Sequence, residues 1–183
     1  GILGAKEYQE SADRKIQILK SNGFNAIRSA HNPCSEEILK ACDKYGMYVM
    51  DETWDMWYRK KNPYDYAMEF QDNYKKDIQG IVEKDYNHPS VILYSIGNEV
   101  SEPMEKKGLQ LFHKEDPTRL VTGGFNLMIM VNAAKGKQMY KDDGGLNKNQ
   151  DVSGMNSTMF NMIASATGSG MNKAANGKKA DII

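Results

Sequence analysis

Nine residues, Val91-Ile92-Leu93-Tyr94-Ser95-Ile96-Gly97-Asn98-Glu99, restrict the fold more than any other stretch of the chain. A strand that is apolar at nearly every position belongs in a parallel sheet covered on both faces. Here the apolar run stops at Gly-Asn-Glu, so the strand is expected to deliver a carboxylic acid to a polar rim. Strict alternation puts Leu93, Ser95, Gly97 and Glu99 on one face and Ile92, Tyr94 and Ile96 on the other. Asn98 would then point away from Glu99. For both to serve one site, the strand must twist or bulge at its carboxyl end.

The rest of the chain supplies the alternation that a parallel sheet requires. Ala5 to Ser21 carries an apolar stripe of helical period through Ala5, Tyr8, Ala12, Ile16 and Leu19, and Asn22-Gly23 ends it. Phe24 to Ala30 reads as a strand stopped by His31-Asn32-Pro33. Ser35 is a good N-cap, Glu36 and Glu37 suit the first turn, and Gly46 closes a second helix buried through Ile38, Leu39, Cys42 and Tyr45. Met47 to Met50 is the next strand and ends in Asp51-Glu52. A polar, aromatic loop from Thr53 to Asp65 leads into a third helix over Ala67 to Tyr86. The strand of the opening follows, then a fourth helix with Pro103 in its first turn and a fourth strand over Arg119 to Gly123. The order α-β-α-β-α-β-α-β predicts a parallel α/β sheet.

Two parallel architectures compete. A doubly wound nucleotide-binding sheet calls for a glycine-rich phosphate turn, and neither GxGxxG nor GxxxxGK[ST] occurs in the chain. Instead, polar residues gather at the carboxyl ends of three successive strands: Arg28 and His31, Asp51 and Glu52, Asn98 and Glu99. That is how an eight-stranded β/α barrel assembles a site. Such barrels take about 250 residues, so the 183 residues here predict a partial (β/α)8 TIM barrel. Residues 1–123 are its expected core. Residues 124–183, rich in Met, Asn, Gly and Lys, are expected to form an extended loop with a short helix, running into the next barrel strand of the same domain. Methionines 128 and 130 read as packing residues rather than copper ligands.

Charge narrows the partners. With 24 basic and 24 acidic side chains, nothing in the electrostatics favours nucleic acid or an anionic membrane. No stretch approaches the roughly 20 apolar residues that span a bilayer. No signal peptide is visible, and the chain opens at Gly1 without a methionine, which leaves the compartment open between bacterial cytoplasm, periplasm and secretion. Cys34 and Cys42 lack metal-binding spacing and read as free, buried thiols.

Four motifs in order carry a family likeness: Arg28-Ser29-Ala30-His31-Asn32-Pro33, Asp51-Glu52-Thr53-Trp54-Asp55-Met56-Trp57, Asn87-His88-Pro89-Ser90-Val91 and Gly97-Asn98-Glu99. From about Leu3 to Gly123 the chain resembles the catalytic barrel of glycoside hydrolase family 2, the β-galactosidase, β-glucuronidase and β-mannosidase group. The resemblance implies strands two to five or six of the barrel and retaining cleavage of a terminal β-linked sugar. In that chemistry two carboxyl groups lie about 5–5.5 Å apart, one protonating the leaving oxygen and the other attacking the anomeric carbon. Glu99 matches the acid/base. Asn98 matches the residue that hydrogen-bonds the sugar 2-hydroxyl, Arg28 the arginine that neutralises the nucleophile, and His31 a residue of the sugar subsite. Asp51 is expected to support the site, and Trp54 or Trp57 to stack on the sugar or cap the cleft. Glu52, facing opposite Asp51 on an alternating strand, ranks below it. His88, before Pro89 at the amino end of a strand, reads as structural.

The family nucleophile stands at the end of the seventh strand, and the sequence stops near the sixth. Glu102, Glu105 and Glu115, on or beside the fourth helix, do not replace it. The chain is therefore expected to be a piece of a longer enzyme and inactive alone. No cofactor is expected, with a cation in the full-length enzyme left open. The resemblance further implies a β-linked oligosaccharide or glycoside as partner, additional β-sandwich domains and an oligomeric whole. A β-glucuronidase- or β-mannosidase-like enzyme, or a barrel that binds carbohydrate without cleaving it, is the alternative.

Overall fold

The computed structural model describes residues 6–55, 64–98 and 104–124, with the side chains of 104–106 and 124 excepted. Glu99, Trp57 and Glu102, the side chain of Glu105, Pro103 and the segment 125–183 lie outside the described residues. Elements run in strict alternation: α1 (Gln9–Ser21), β1 (Ala26–Arg28), α2 (Glu36–Tyr45), β2 (Tyr48–Glu52), α3 (Ala67–Asp85), β3 (Val91–Asn98), α4 (Met104–Glu115) and β4 (Leu120–Gly124). The four strands form one sheet in the order β1-β2-β3-β4, every pair parallel. A doubly wound sheet would reverse direction at a switch point; here each unit steps to the same side, as in a barrel wall. The fold is a partial α/β barrel.

Local chemistry explains most boundaries. Ser35 caps α2 by accepting from the Ile38 amide, and Gly46 ends it at φ 71°, a left-handed conformation that disfavours a side chain. α1 starts at Gln9 rather than Ala5, after Tyr8, which offers no side-chain cap. β1 is shorter than its apolar pattern suggests. Among the described strands it pairs only with β2, its register covers Ala26 to Arg28, and Phe24 stays 56% exposed.

The core lies between the sheet and its helices. Ala12 and Ile16 of α1 join Leu39 and Cys42 of α2, while Ile78 and Ile81 of α3 and Leu109 and Phe112 of α4 cover Val49, Tyr94, Ile96 and Val121. Tyr94 stacks on Phe112 with ring centroids 4.8 Å apart. By alternation Val49 and Asp51 face the helices, and Tyr48, Met50 and Glu52 face the barrel interior. The interior face is less covered than the opening strand suggests: Tyr48 is 52% and Leu120 48% exposed. Ile92, at a register irregularity opposite Val49/Met50, is also exposed.

At the amino ends of the strands, His88 Nδ1 meets Asp43 Oδ2 at 2.6 Å, the structural role expected for it. Arg119 gathers the α3–β3 turn by donating to the carbonyls of Asp85, Tyr86, His88 and Val91. Both cysteines are free thiols; Cys42 is buried, which pushes its thiol up to about 12, and Cys34 is half-buried. No helix among the described residues is long and apolar enough to cross a membrane.

Candidate active site

The polar rim at the carboxyl ends of β1, β2 and β3 is organised around Glu52. Its carboxylate is fully buried and held by Arg28, which donates from Nε to Oε2 at 2.9 Å and from Nη2 to Oε1 at 3.0 Å. This two-pronged geometry suits a planar guanidinium and is among the stronger polar contacts available to a protein. His31 Nδ1 lies 2.8 Å from Oε1, and the Ser95 hydroxyl donates to Oε2 at 2.8 Å. Both oxygens of Glu52 are thus occupied, so it organises its neighbours rather than reacting.

Register explains why Glu52, and not Asp51, joins this cluster. Arg28 pairs with Met50, and Glu52 with Ser95. Residues paired across parallel strands share a face, so Arg28, Met50, Glu52 and Ser95 all look inward. The sequence shows that Asp51 and Glu52 alternate, but only the register reveals which one shares the Arg28 face.

Asn98 reaches the same face through a bulge. From the Ser95–Thr122 pair to the Asn98–Gly124 pair, β3 advances three residues while β4 advances two. Gly97 absorbs the extra residue at φ 128°, a conformation that L side chains rarely adopt. Asn98 is thereby turned off the Tyr94 face, as the sequence required for a shared site. Its Oδ1 accepts from Arg28 Nη2 at 3.3 Å, its Nδ2 donates to Asp55 at 3.0 Å, and its amide donates to the Trp54 carbonyl at 2.8 Å. Glu99 is the next residue in the chain.

The remaining candidates divide. Arg28, His31 and Asn98 come together. Trp54 does not join them: its ring is buried, meets Phe70 edge-on at 4.9 Å and donates Nε1–H to Asp77 at 3.0 Å. Packing against α3 holds it there, and it contributes to the rim only through its backbone. A cavity of about 470 Å³ opens beside it, between Asn32-Pro33, Tyr66 and the α3 residues Asp77, Gly80 and Lys84.

Asp51 points behind the rim, toward α3, and is fully buried. Its Oδ1 accepts from the Ser29 hydroxyl at 2.6 Å and from the Cys34 amide at 2.8 Å, and its Oδ2 from Lys84 at 3.0 Å. Burial by itself would raise this carboxyl. The Lys84 ammonium and the two hydrogen-bond donors outweigh it and hold Asp51 below the usual carboxylate range. Lys84 also pairs with Asp85, whose carboxyl is pushed up to about 7 by burial and by the charge on Asp51. Among the described residues no group of three or more His, Cys, Asp or Glu side chains is arranged to hold a metal ion.

Over residues 8–161 the chain matches the model of "Glycosyl hydrolases family 2, TIM barrel domain". It is 47% identical over 102 residues to a β-galactosidase of Bacteroides ovatus, a match covering 56% of this chain and 12% of that protein. A putative β-glucuronidase of Formosa agariphila is 39% identical over 111 residues, covering 60% of this chain and 11% of the relative. Among solved structures, a glycosyl hydrolase family 2 member from Bacteroides cellulosilyticus aligns with a TM-score of 0.66 at 37% identity, over 74% of this chain and 21% of that one. The matches thus span about an eighth of the curated relatives' length. On the strength of the family match and the parallel barrel wall it falls on, the chain belongs to glycosyl hydrolase family 2 and carries part of its TIM barrel domain.

Proposed function

We propose that this chain supplies the acid/base half of the active site of a retaining β-glycosidase, with a β-galactoside as its first substrate class. The observation that carries the reading is the convergence of Arg28, His31, Glu52 and Asn98 on one inward face, directly before Glu99. In this reading Glu99 gives its proton to the glycosidic oxygen as that bond breaks, while a carboxylate beyond the chain forms a glycosyl ester. Glu99 then takes a proton from water as water displaces the ester. Asn98, with its amide turned inward by the bulge, is the donor offered to a sugar hydroxyl. Arg28 and His31, each about one-third exposed, present positive or polar edges beside it. The β-galactosidase relative, at 47% identity, supports the choice of sugar.

The test uses the whole enzyme and p-nitrophenyl β-galactoside, with the β-glucuronide as comparison substrate. Glu99→Gln is expected to lower turnover of a poorly leaving alkyl galactoside by at least about 100-fold, the usual scale of general acid–base catalysis. Azide, which needs no general base to attack, should restore turnover of the aryl substrate and give a β-galactosyl azide. Full activity of Glu99→Gln on the alkyl galactoside would remove Glu99 from this role. The 183-residue chain alone is expected to show no hydrolysis, because this reading places the second carboxyl of the pair outside it.

A further inference from the structure

The strongest feature that the proposed chemistry leaves unused is the polar cluster behind the rim. Ser29, Cys34, Asp51, Lys84 and Asp85 form it, and none of them faces the barrel interior beside Glu52. Besides the chain itself, which joins Ser29 to Arg28 and Asp51 to Glu52, one side-chain hydroxyl ties it to the rim among the described residues. Ser29 Oγ donates to Asp51 Oδ1 at 2.6 Å and accepts the Glu52 amide at 2.7 Å. The β1–β2 ladder has already run out at this point: its last registered pair is Arg28 with Met50, and its last bond runs from the Ser29 amide to the Met50 carbonyl. The side chain of Ser29 therefore continues the strand pairing where backbone pairing ends. Because Glu52 orients Arg28 and His31, whatever fixes the Glu52 backbone also fixes them.

We infer that Lys84 of α3 is a positioning residue for the Glu52–Arg28–His31 rim, acting through Asp51 and Ser29. This rests on the reading of that rim as part of a glycosidase site. The chain of contacts runs Lys84 Nζ to Asp51 Oδ2 at 3.0 Å, Asp51 Oδ1 to the Ser29 hydroxyl, and Ser29 Oγ to the Glu52 amide. Each link has one sense. Lys84 has only donors, ionised Asp51 has only acceptors, and the Ser29 hydroxyl must give its one proton to Asp51, which leaves its lone pair for Glu52. An ammonium on the helix layer thus dictates the direction of a hydroxyl on the rim.

Two observations support a positioning role over simple charge burial. Lys84 is four-fifths buried yet lines the cavity beside Trp54, so its stem is fixed by packing while its head is held by two carboxyls. With Asp85 largely protonated below neutral pH, Asp51 is left as the chief negative partner of the ammonium. Asp85 Oδ2 accepts no hydrogen bond among the described residues, and a proton there becomes a donor toward Asp51. The effect is again to hold Asp51 as an acceptor for Ser29.

The experiment measures kcat/KM of the whole enzyme on p-nitrophenyl β-galactoside, together with its melting temperature, for Ser29→Ala, Ser29→Thr, Lys84→Met and the double variant Ser29→Ala/Lys84→Met. Ser29→Ala removes the link without opening a cavity and is expected to lower kcat/KM about tenfold, the scale of a small misplacement in an active site. Ser29→Thr keeps the hydroxyl and should recover the activity to within about threefold. The double variant should lose no more activity than the worse single variant, since both act on one path. Unchanged kcat/KM in Ser29→Ala or in Lys84→Met, no recovery in Ser29→Thr, or losses that multiply in the double variant would each overturn the inference. Where Lys84→Met does not fold, Lys84→Gln, alone and with Ser29→Ala, takes its place in the same comparison. A wild-type enzyme without glycosidase activity instead overturns the functional reading, and is told apart by its silence on the unsubstituted protein.

Discussion

Asp51 and Asp85 share one ammonium and are driven in opposite directions. Asp85 is held protonated to about 7 by burial and by Asp51, with Lys84 in contact and with Tyr94 and Arg119 facing it from β3 and the turn before β4. The consequence for stability has a definite sign. A carboxyl that stays protonated in the folded chain and ionises in the unfolded one favours the folded state at acid pH. That contribution is lost as pH rises from about 4, the ordinary aspartate value, to about 7. Asp51, held low, acts in the reverse sense and withdraws its support only as pH falls below the ordinary range. Asp85→Asn is therefore expected to flatten the decline of melting temperature between about pH 4 and 7 and to raise it at pH 8, by about 2–4 °C for each kcal/mol recovered. Thermal melts followed by circular dichroism across that range check it; a variant whose profile runs parallel to the parent contradicts it. In the sequence, Lys84 and Asp85 fall in the last turn of the third helix, and nothing nearby names their partner. Their meeting with Asp51 across 33 positions depends on α3 docking behind β2, which no local pattern encodes.

At the scale of elements, the β3 bulge is the piece of backbone on which the rim depends. Gly97→Ala puts a side chain at φ 128°, and such a residue costs about 1–3 kcal/mol. The strand can escape by straightening, which returns Asn98 to the Tyr94 face and away from Arg28. The expected result is a lower urea midpoint together with loss of activity in the whole enzyme; an unaffected midpoint would contradict the strain. The need for this bulge was legible in the sequence, because alternation alone separated Asn98 from Glu99. Helix and strand order, the Ser35 and Gly46 caps and the strand-end location of Arg28, His31 and Asn98 were legible too, for they rest on periodicity and on residues with one conformational use. Strand lengths and the role of Trp54 were not. Pairing of β1 with β2 stops at Arg28 and Met50, although β2 runs on to Glu52, and Trp54 turns toward α3, where Phe70 and Asp77 receive it. The choice of Glu52 over Asp51 needed register, which strands acquire only on pairing.

At the scale of the whole molecule, the described residues leave the apolar part of the sheet's inward face exposed. Tyr48 and Leu120 stand on it more than two-fifths exposed, and β1 and β4 each have an edge that pairs with no other described strand. Unpaired edges and an apolar face favour association. The purified 183-residue chain is expected to self-associate in light scattering, and Leu120→Lys to shift it toward monomer; a monodisperse parent would contradict this. The order β1-β2-β3-β4 has another outcome, in time rather than space. Each strand finds its partner one unit earlier in the chain, so no pair waits for residues not yet made. A ribosome releasing this chain at about 5–20 residues per second would hand over one helix-and-strand unit every few seconds. Each unit would meet a finished edge as it emerged. Synthesis itself would then set the sequence of assembly, with the edge of the newest strand the next to be covered.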